Sequence, residues 1–178
     1  MQLDEFNSAD AGAAASVVGV WAAIPTWVEA VVAGRPYASV DALTAQAAAL
    51  ADAWTAADLD TAVAHHPRIG QRPVGAGAEA AASRREQAAM TDAAAGVADA
   101  IAAGNAAYEE RFGRVFLIRA AGRSPDAILA ELRRRLGNDE DAEAREALSQ
   151  LAEIAILRLR GSVTEGFGAA APSERITP

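Results

Sequence analysis

Between Asn138 and Gly161 the apolar residues fall at steps of three and four: Ala147, Leu151 and Ile154 in line, with Ala144, Leu148 and Ala155 beside them. That spacing is one face of an α-helix. Acids crowd its first turn and arginines its last, which suits the helix dipole. One polar residue, Arg158, continues the apolar stripe, whereas Arg160 falls with Ser149, Glu153 and Ile156 on a more solvated face. "SPDAILAELRRRLG" (124–137) predicts a second helix, with Ser124 as N-cap, Pro125 in the first turn, Asp126 near the positive dipole end and Gly137 just past the end. Earlier, "NSAD" (7–10) offers N-caps to an alanine-rich helix that Pro25 ends or kinks. After a break at "GRPYAS", Ser39 caps a helix through "VDALTAQAAALADAW". A short helix over "AADLDTAVAHH" leads into "PRIGQRPVGAGA", whose three glycines and two prolines stop any regular element. Residues 78–113 read as a long helix and then a second one ending near Gly113. "RVFLIRAAGRSP" (114–125) has the residues of a strand but no partner strand, so it predicts buried irregular chain or a helix turn.

Composition narrows this to an all-α fold. The chain has 178 residues, 52% of them apolar but mostly alanine, and only 5% aromatic. Alanine is the strongest helix former, and the length suits a single compact multi-helix domain. No repeat or linker divides it. The expected domain covers residues 1–160, followed by a flexible Gly/Ala/Pro-rich tail over 161–178. A net charge of -8 opposes nucleic acid and anionic membrane as partners, and an anionic small molecule needs local cations to hold it. The apolar run over 13–34 is broken by Pro25, with Glu29 soon after it, so it reads as a buried helix pair and not a membrane span. The chain contains no cysteine, which rules out disulfides, thiolate metal sites and thiol nucleophiles. An acidic "MQLDEF" start and a "SERITP" end carry no targeting signal, so the expected compartment is the cytoplasm.

Three polar features stand against the helical pattern. A guanidinium on the core stripe, Arg158, requires either an anionic partner or a route to solvent at the helix end. In "SRREQAAM" (83–90), Ser83, Glu86, Gln87 and Met90 share one face while Arg84 and Arg85 point elsewhere. Ser83 and Glu86 fit a capping box. Alternatively, if the helix begins near Ala78, a hydroxyl, a carboxylate and an amide are displayed together from its interior. The third feature is "HHP": His65 and His66 are the chain's two histidines. Helix capping or core packing would explain either one. Adjacent helical positions diverge by about 100°, so both rarely serve one metal ion, and a third ligand is not evident. An acid–base histidine with an orienting carboxylate suits an imidazole, which titrates near neutral pH.

Taken together, "HPRIG", "SRREQ", "NAAYEERFGRVFLIRAAGRS" and "LRRRLGNDEDAEAREALSQLAEIAILRL" give a more specific reading. In this order and spacing they resemble the 2-oxo-4-hydroxy-4-carboxy-5-ureidoimidazoline (OHCU) decarboxylase family, the third enzyme of the route from urate to allantoin. "LDEFNSAD" and "WVEAVVAGRPYASVDAL" fit as well, so the likeness runs from about Leu3 to Leu159. The resemblance implies an all-α fold of the OHCU decarboxylase type, commonly a homodimer in the cytoplasm. It implies OHCU as small-molecule substrate, with no metal and no organic cofactor. As catalytic residues it implies His66, directly before proline, Glu86 in the S-x-x-E-Q block, and Arg158 in the final helix. As substrate contacts it implies Pro67, Ser83, Gln87 and the segment Ile118, Arg119, Ala120, Ala121 and Gly122. The implied product is (S)-allantoin, where the uncatalysed reaction gives the racemate. His65 becomes a bystander. Two other classes stay open on the residues alone: a non-catalytic helical module binding a related ureido or imidazoline compound, and a structural partner protein.

Overall fold

Several helices of this protein start where a short polar side chain can take an unpaired backbone N–H. The computed structural model describes residues 1–64, 66–71, 77–88, 90 and 93–166. Among them are nine helices: α1 Leu3–Ser8, α2 Ala11–Trp21, α3 Pro25–Ala33, α4 Val40–Ala51, α5 Ala56–Val63, α6 Ala78–Glu86, α7 Ala95–Phe112, α8 Pro125–Arg135 and α9 Glu140–Ser162. No strand occurs among the described residues, and one parallel bridge joins Gln2 to Thr164. Asp10, Ser39, Thr55, Ser124 and Asp139 each cap the helix that follows. No helix among the described residues is long and apolar enough to cross a membrane.

Two cores hold the helices. The first gathers α1–α5 around α9, with Trp21, Trp27, Leu43, Leu59, Leu151 and Leu159 inside. The second lies between α7 and α8 and takes in Ile69, Phe116, Ile118 and Ala120 from irregular segments. The helices α7 and α8 approach closely at Gly104, where a Cβ would sit 2.5 Å from Leu132 Cδ2. Residues 114–123 are irregular and largely buried, as the sequence predicts. Gly113 ends α7 with φ of 67°, a left-handed conformation that disfavours a side chain. Gly113→Ala therefore lowers stability by about 1 kcal/mol in a denaturant melt.

Four boundaries differ from the sequence reading. Helix α1 was not expected; Leu3 and Phe6 are buried on one side of it, and Glu5 accepts from the Gln2 N–H at 2.8 Å. Asn7 does not cap a helix but holds the Tyr37 backbone, donating to its carbonyl and accepting from its N–H, both at 2.9 Å. Helix α6 stops at Glu86, so the expected long helix is short. Residues 161–166, expected to belong to a flexible tail, are held in place. Ser162 closes α9 and accepts from Trp21 Nε1 at 2.8 Å, the Leu3 N–H donates to the Thr164 carbonyl at 2.9 Å, and Glu165 accepts from the Val40 N–H at 2.7 Å. Residues 167–178 lie outside the described residues.

Candidate active site

His66 sits just past α5. Its N–H donates to the Val63 carbonyl at 2.9 Å, which fixes the turn out of the helix, and Pro67 prevents any continuation. His65 lies outside the described residues. Facing the turn is the end of α6. Because α6 begins at Ala78, Ser83 and Glu86 lie in its body and do not form a capping box. Ser83 is buried, and Arg84 and Arg85 are exposed. From the other side comes α9, whose stripe carries Arg158 inward.

Arg158 has an anionic partner. Its Nε donates to one Glu86 oxygen at 2.6 Å and its Nη2 to the other at 2.9 Å, a bidentate pair. The same Nη2 reaches Ser83 Oγ at 3.3 Å, and Nη1 donates to the Val20 carbonyl at 3.0 Å. Both side chains are largely withdrawn from solvent, at 5% and 14% exposed. Three helices are thereby joined at one guanidinium. Glu86 accepts its hydrogen bonds from Arg158, so what it offers His66 is charge. The His66 imidazole is pushed down from 6.5 to about 4, first by burial and then by the Arg158 cation, against a smaller opposing pull from Glu86. At neutral pH it is uncharged and able to accept a proton.

Two hollows border this cluster. A small one of about 20 Å³ is walled by His66, Pro67, Glu86, Gln87, Ile118 and Ala120. A larger one of about 250 Å³ is walled by Trp21, Arg85, Glu86, Ala121, Leu157 and Arg158 among others, so Arg85 reaches a cavity that the helical pattern turned it away from. Glu86 lines both. Gln87 Oε1 accepts from the Gly70 N–H at 3.0 Å, which leaves its amino group for a ligand. Of the segment 118–122, Ile118 and Ala120 face the small hollow and Ala121 the larger. Gly122, with φ of 80°, completes the turn, in which the Arg123 N–H donates to the Ala120 carbonyl. The Arg119 side chain turns away, donating to Glu153 at 2.7 Å, while its N–H donates to Gln150 at 3.0 Å. A wider groove of about 590 Å³ beside Asp60, Glu109 and Arg114 contains none of these groups.

Two buried charges escape the sequence reading. Glu143 and Arg135 are 0% and 1% exposed and paired with each other. The signal was present: Ile128, Leu132 and Arg135 form an apolar-type stripe on α8, and Glu143 precedes Ala147 by one turn at the start of the α9 stripe. Read as a first-turn acid, Glu143 looks solvated.

Comparison with known proteins agrees with the fold and the motifs. The OHCU decarboxylase family model matches residues 7–160. The chain is 36% identical over 138 residues to the 2-oxo-4-hydroxy-4-carboxy-5-ureidoimidazoline decarboxylase of Amia calva, covering 76% of this chain and 79% of that one. It is 33% identical over 135 residues to the protein of that name from Haloferax volcanii, covering 75% and 79%. With the Mus musculus protein the identity is 30% over 179 residues, covering 99% and 98%. In fold it is similar to a crystal structure of OHCU decarboxylase in the presence of (S)-allantoin, with a TM-score of 0.68 at 21% identity, over 80% of this chain and 94% of that one. A crystal structure of (S)-allantoin synthase aligns with a TM-score of 0.67 at 18% identity, over 92% of this chain and 54% of that one. These findings put the protein among the carboxy-lyases. More particularly, the chain belongs to the OHCU decarboxylase family.

Proposed function

We propose that this protein decarboxylates OHCU to (S)-allantoin in urate breakdown, with His66, Glu86 and Arg158 as its catalytic residues. The observation that carries the site is their convergence. A neutral imidazole lines a hollow shared with Glu86, whose carboxylate is paired to Arg158, although the three come from distant parts of the chain.

The substrate carries a hydroxyl and a carboxylate on one ring carbon. When the carbon–carbon bond to the carboxylate breaks, carbon dioxide leaves and its electron pair stays on the ring, where the electron-withdrawing ring spreads it. One proton must then be added to one face of the product. Neutral His66 takes up and returns protons as general acid–base. Arg158 donates to the oxygen on which negative charge grows. Pro67, Ser83, the Gln87 amino group and the backbone of Ile118, Arg119, Ala120, Ala121 and Gly122 hold the ring and ureido group in place. In an acidic chain, Arg158 and the nearby Arg85 are the local cations that an anionic substrate needs. Family membership also supports a homodimer in the cytoplasm.

The pH dependence follows from the depressed imidazole. In the free enzyme His66 stays deprotonated down to about pH 4, so the acid limb of kcat/KM that it sets falls near 4 and not near 6.5. A bound carboxylate adds negative charge beside the ring and raises its proton affinity, so the limb in kcat falls at higher pH. Stability follows the same group. Below 6.5 the unfolded chain takes a proton that the folded chain refuses until about 4. The stability due to neutral His66 is therefore complete above 6.5 and is lost as pH falls towards 4. The proposal itself is tested by following OHCU in the presence of purified protein. Loss much faster than in buffer is expected; an unchanged rate, with or without ligand binding, defeats it.

A further inference from the structure

Each irregular segment of the site has one backbone carbonyl held from behind by a buried side chain. On the His66 side, Asn105 of α7 donates its Nδ2 to the Ile69 carbonyl at 2.9 Å. On the 118–122 side, Arg135 at the end of α8 donates its Nη1 to the Leu117 carbonyl at 2.8 Å. Ile69 is three residues past His66, and Leu117 directly precedes Ile118. Neither segment belongs to a helix or strand, so its buried carbonyls depend on side chains for partners and for position.

Each tether costs something that stability alone does not explain. Asn105 is 4% exposed, and its Oδ1 has no hydrogen-bond partner among the described residues. An unpaired buried acceptor is unfavourable, so what Asn105 contributes is its donor. Arg135 is anchored on Glu143, with Nε and Nη2 at 2.9 and 2.5 Å from Oε1, and its guanidinium lies 4.7 Å from the Phe116 ring centre. Glu143 also accepts from Tyr108 Oη, and from Asn138 Nδ2 at 2.8 Å. Apolar residues of similar volume often serve as well as a buried ion pair or better. The pair does what an apolar pair could not, which is to hold the Leu117 carbonyl in a fixed direction. Asn105 and Tyr108 share a face of α7, so one helix supports both tethers.

We propose that Asn105 and Arg135 are positioning residues for the reaction. Through the Ile69 and Leu117 carbonyls they set the distance between His66 and the Ile118–Ala120 wall of the small hollow. The proposal rests on the decarboxylase reading for its kinetic part only. Asn105→Leu removes the donor together with its unpaired oxygen. Arg135→Lys keeps a cation facing Glu143 but gives up the planar fork that reaches Leu117. Two measurements on the full chain decide the matter. In hydrogen exchange, the Gly70 amide in Asn105→Leu and the Arg119 amide in Arg135→Lys lose protection by about tenfold or more, while α9 amides keep theirs. In turnover, kcat falls by about 100-fold with a smaller change in KM, the expected scale for a misplacement of about 1 Å. Ser39→Ala, which removes the α4 N-cap at a cost of about 1 kcal/mol and lies outside α7, α8 and both tethered segments, keeps the parent kcat. Unchanged exchange at Gly70 in Asn105→Leu overturns the proposal, as does a kcat within twofold of the parent. Asn105→Leu decides alone if Arg135→Lys does not fold. The exchange arm uses no substrate, so a protein without OHCU turnover would sink the decarboxylase reading while the tethers are still judged.

Discussion

His66→Asn lowers turnover of OHCU by about 1,000-fold at neutral pH, within the range that a positioned acid–base group contributes. Asparagine is polar and of similar size, but it has no proton to exchange near neutral pH. The folded protein holds His66 uncharged, so the change removes no ion pair, and the melting temperature at pH 7 shifts little. That separation of activity from stability distinguishes a chemical role from a packing role. The acid limb of kcat/KM near pH 4 belongs to the same imidazole and disappears with it. His65→Ala leaves most of the activity. Equal loss in the two single variants, measured by steady-state kinetics, would remove the assignment of His66.

Arg158→Ala is expected to abolish measurable turnover and to cost about 3–5 kcal/mol of stability, because it leaves Glu86 buried without its partner. The two effects separate in a second variant. Arg158→Met combined with Glu86→Leu removes both charges together, so most of the stability returns. Turnover does not return, because the guanidinium that receives the developing charge is still missing. Denaturant melts and kinetics on the same preparations read both quantities. A stable double variant that decarboxylates at the parent rate would show the pair to be structural only.

Much of this site is visible in the sequence because its residues break a regular pattern. Arg158 interrupts an apolar stripe, and an interrupted stripe requires a partner. Ser83, Glu86 and Gln87 share a helical face, and the proline after His66 fixes a junction. The pairing itself is not visible: nothing local indicates that Arg158 meets Glu86, 72 residues earlier in the chain. Glu143 shows the converse. Its place in the first turn of α9 has a sufficient local explanation in the helix dipole, and that explanation conceals a buried ion pair made across the fold. Helix α1 and the bonded segment that follows α9 were missed for a related reason. Each depends on the other, through Met1 and Leu3 bonded to Thr164, and chain ends give no periodic signal of such a contact. The end of α6 at Glu86 carries no proline or glycine to mark it.

The proposed mechanism shows itself most directly in one property of the product. OHCU left in buffer gives racemic allantoin, and a site that delivers its proton to one face gives a single enantiomer. Chiral analysis of the allantoin formed in the presence of the purified protein, corrected for the buffer reaction, tests this directly. The account predicts (S)-allantoin in large excess. A racemic product would contradict it.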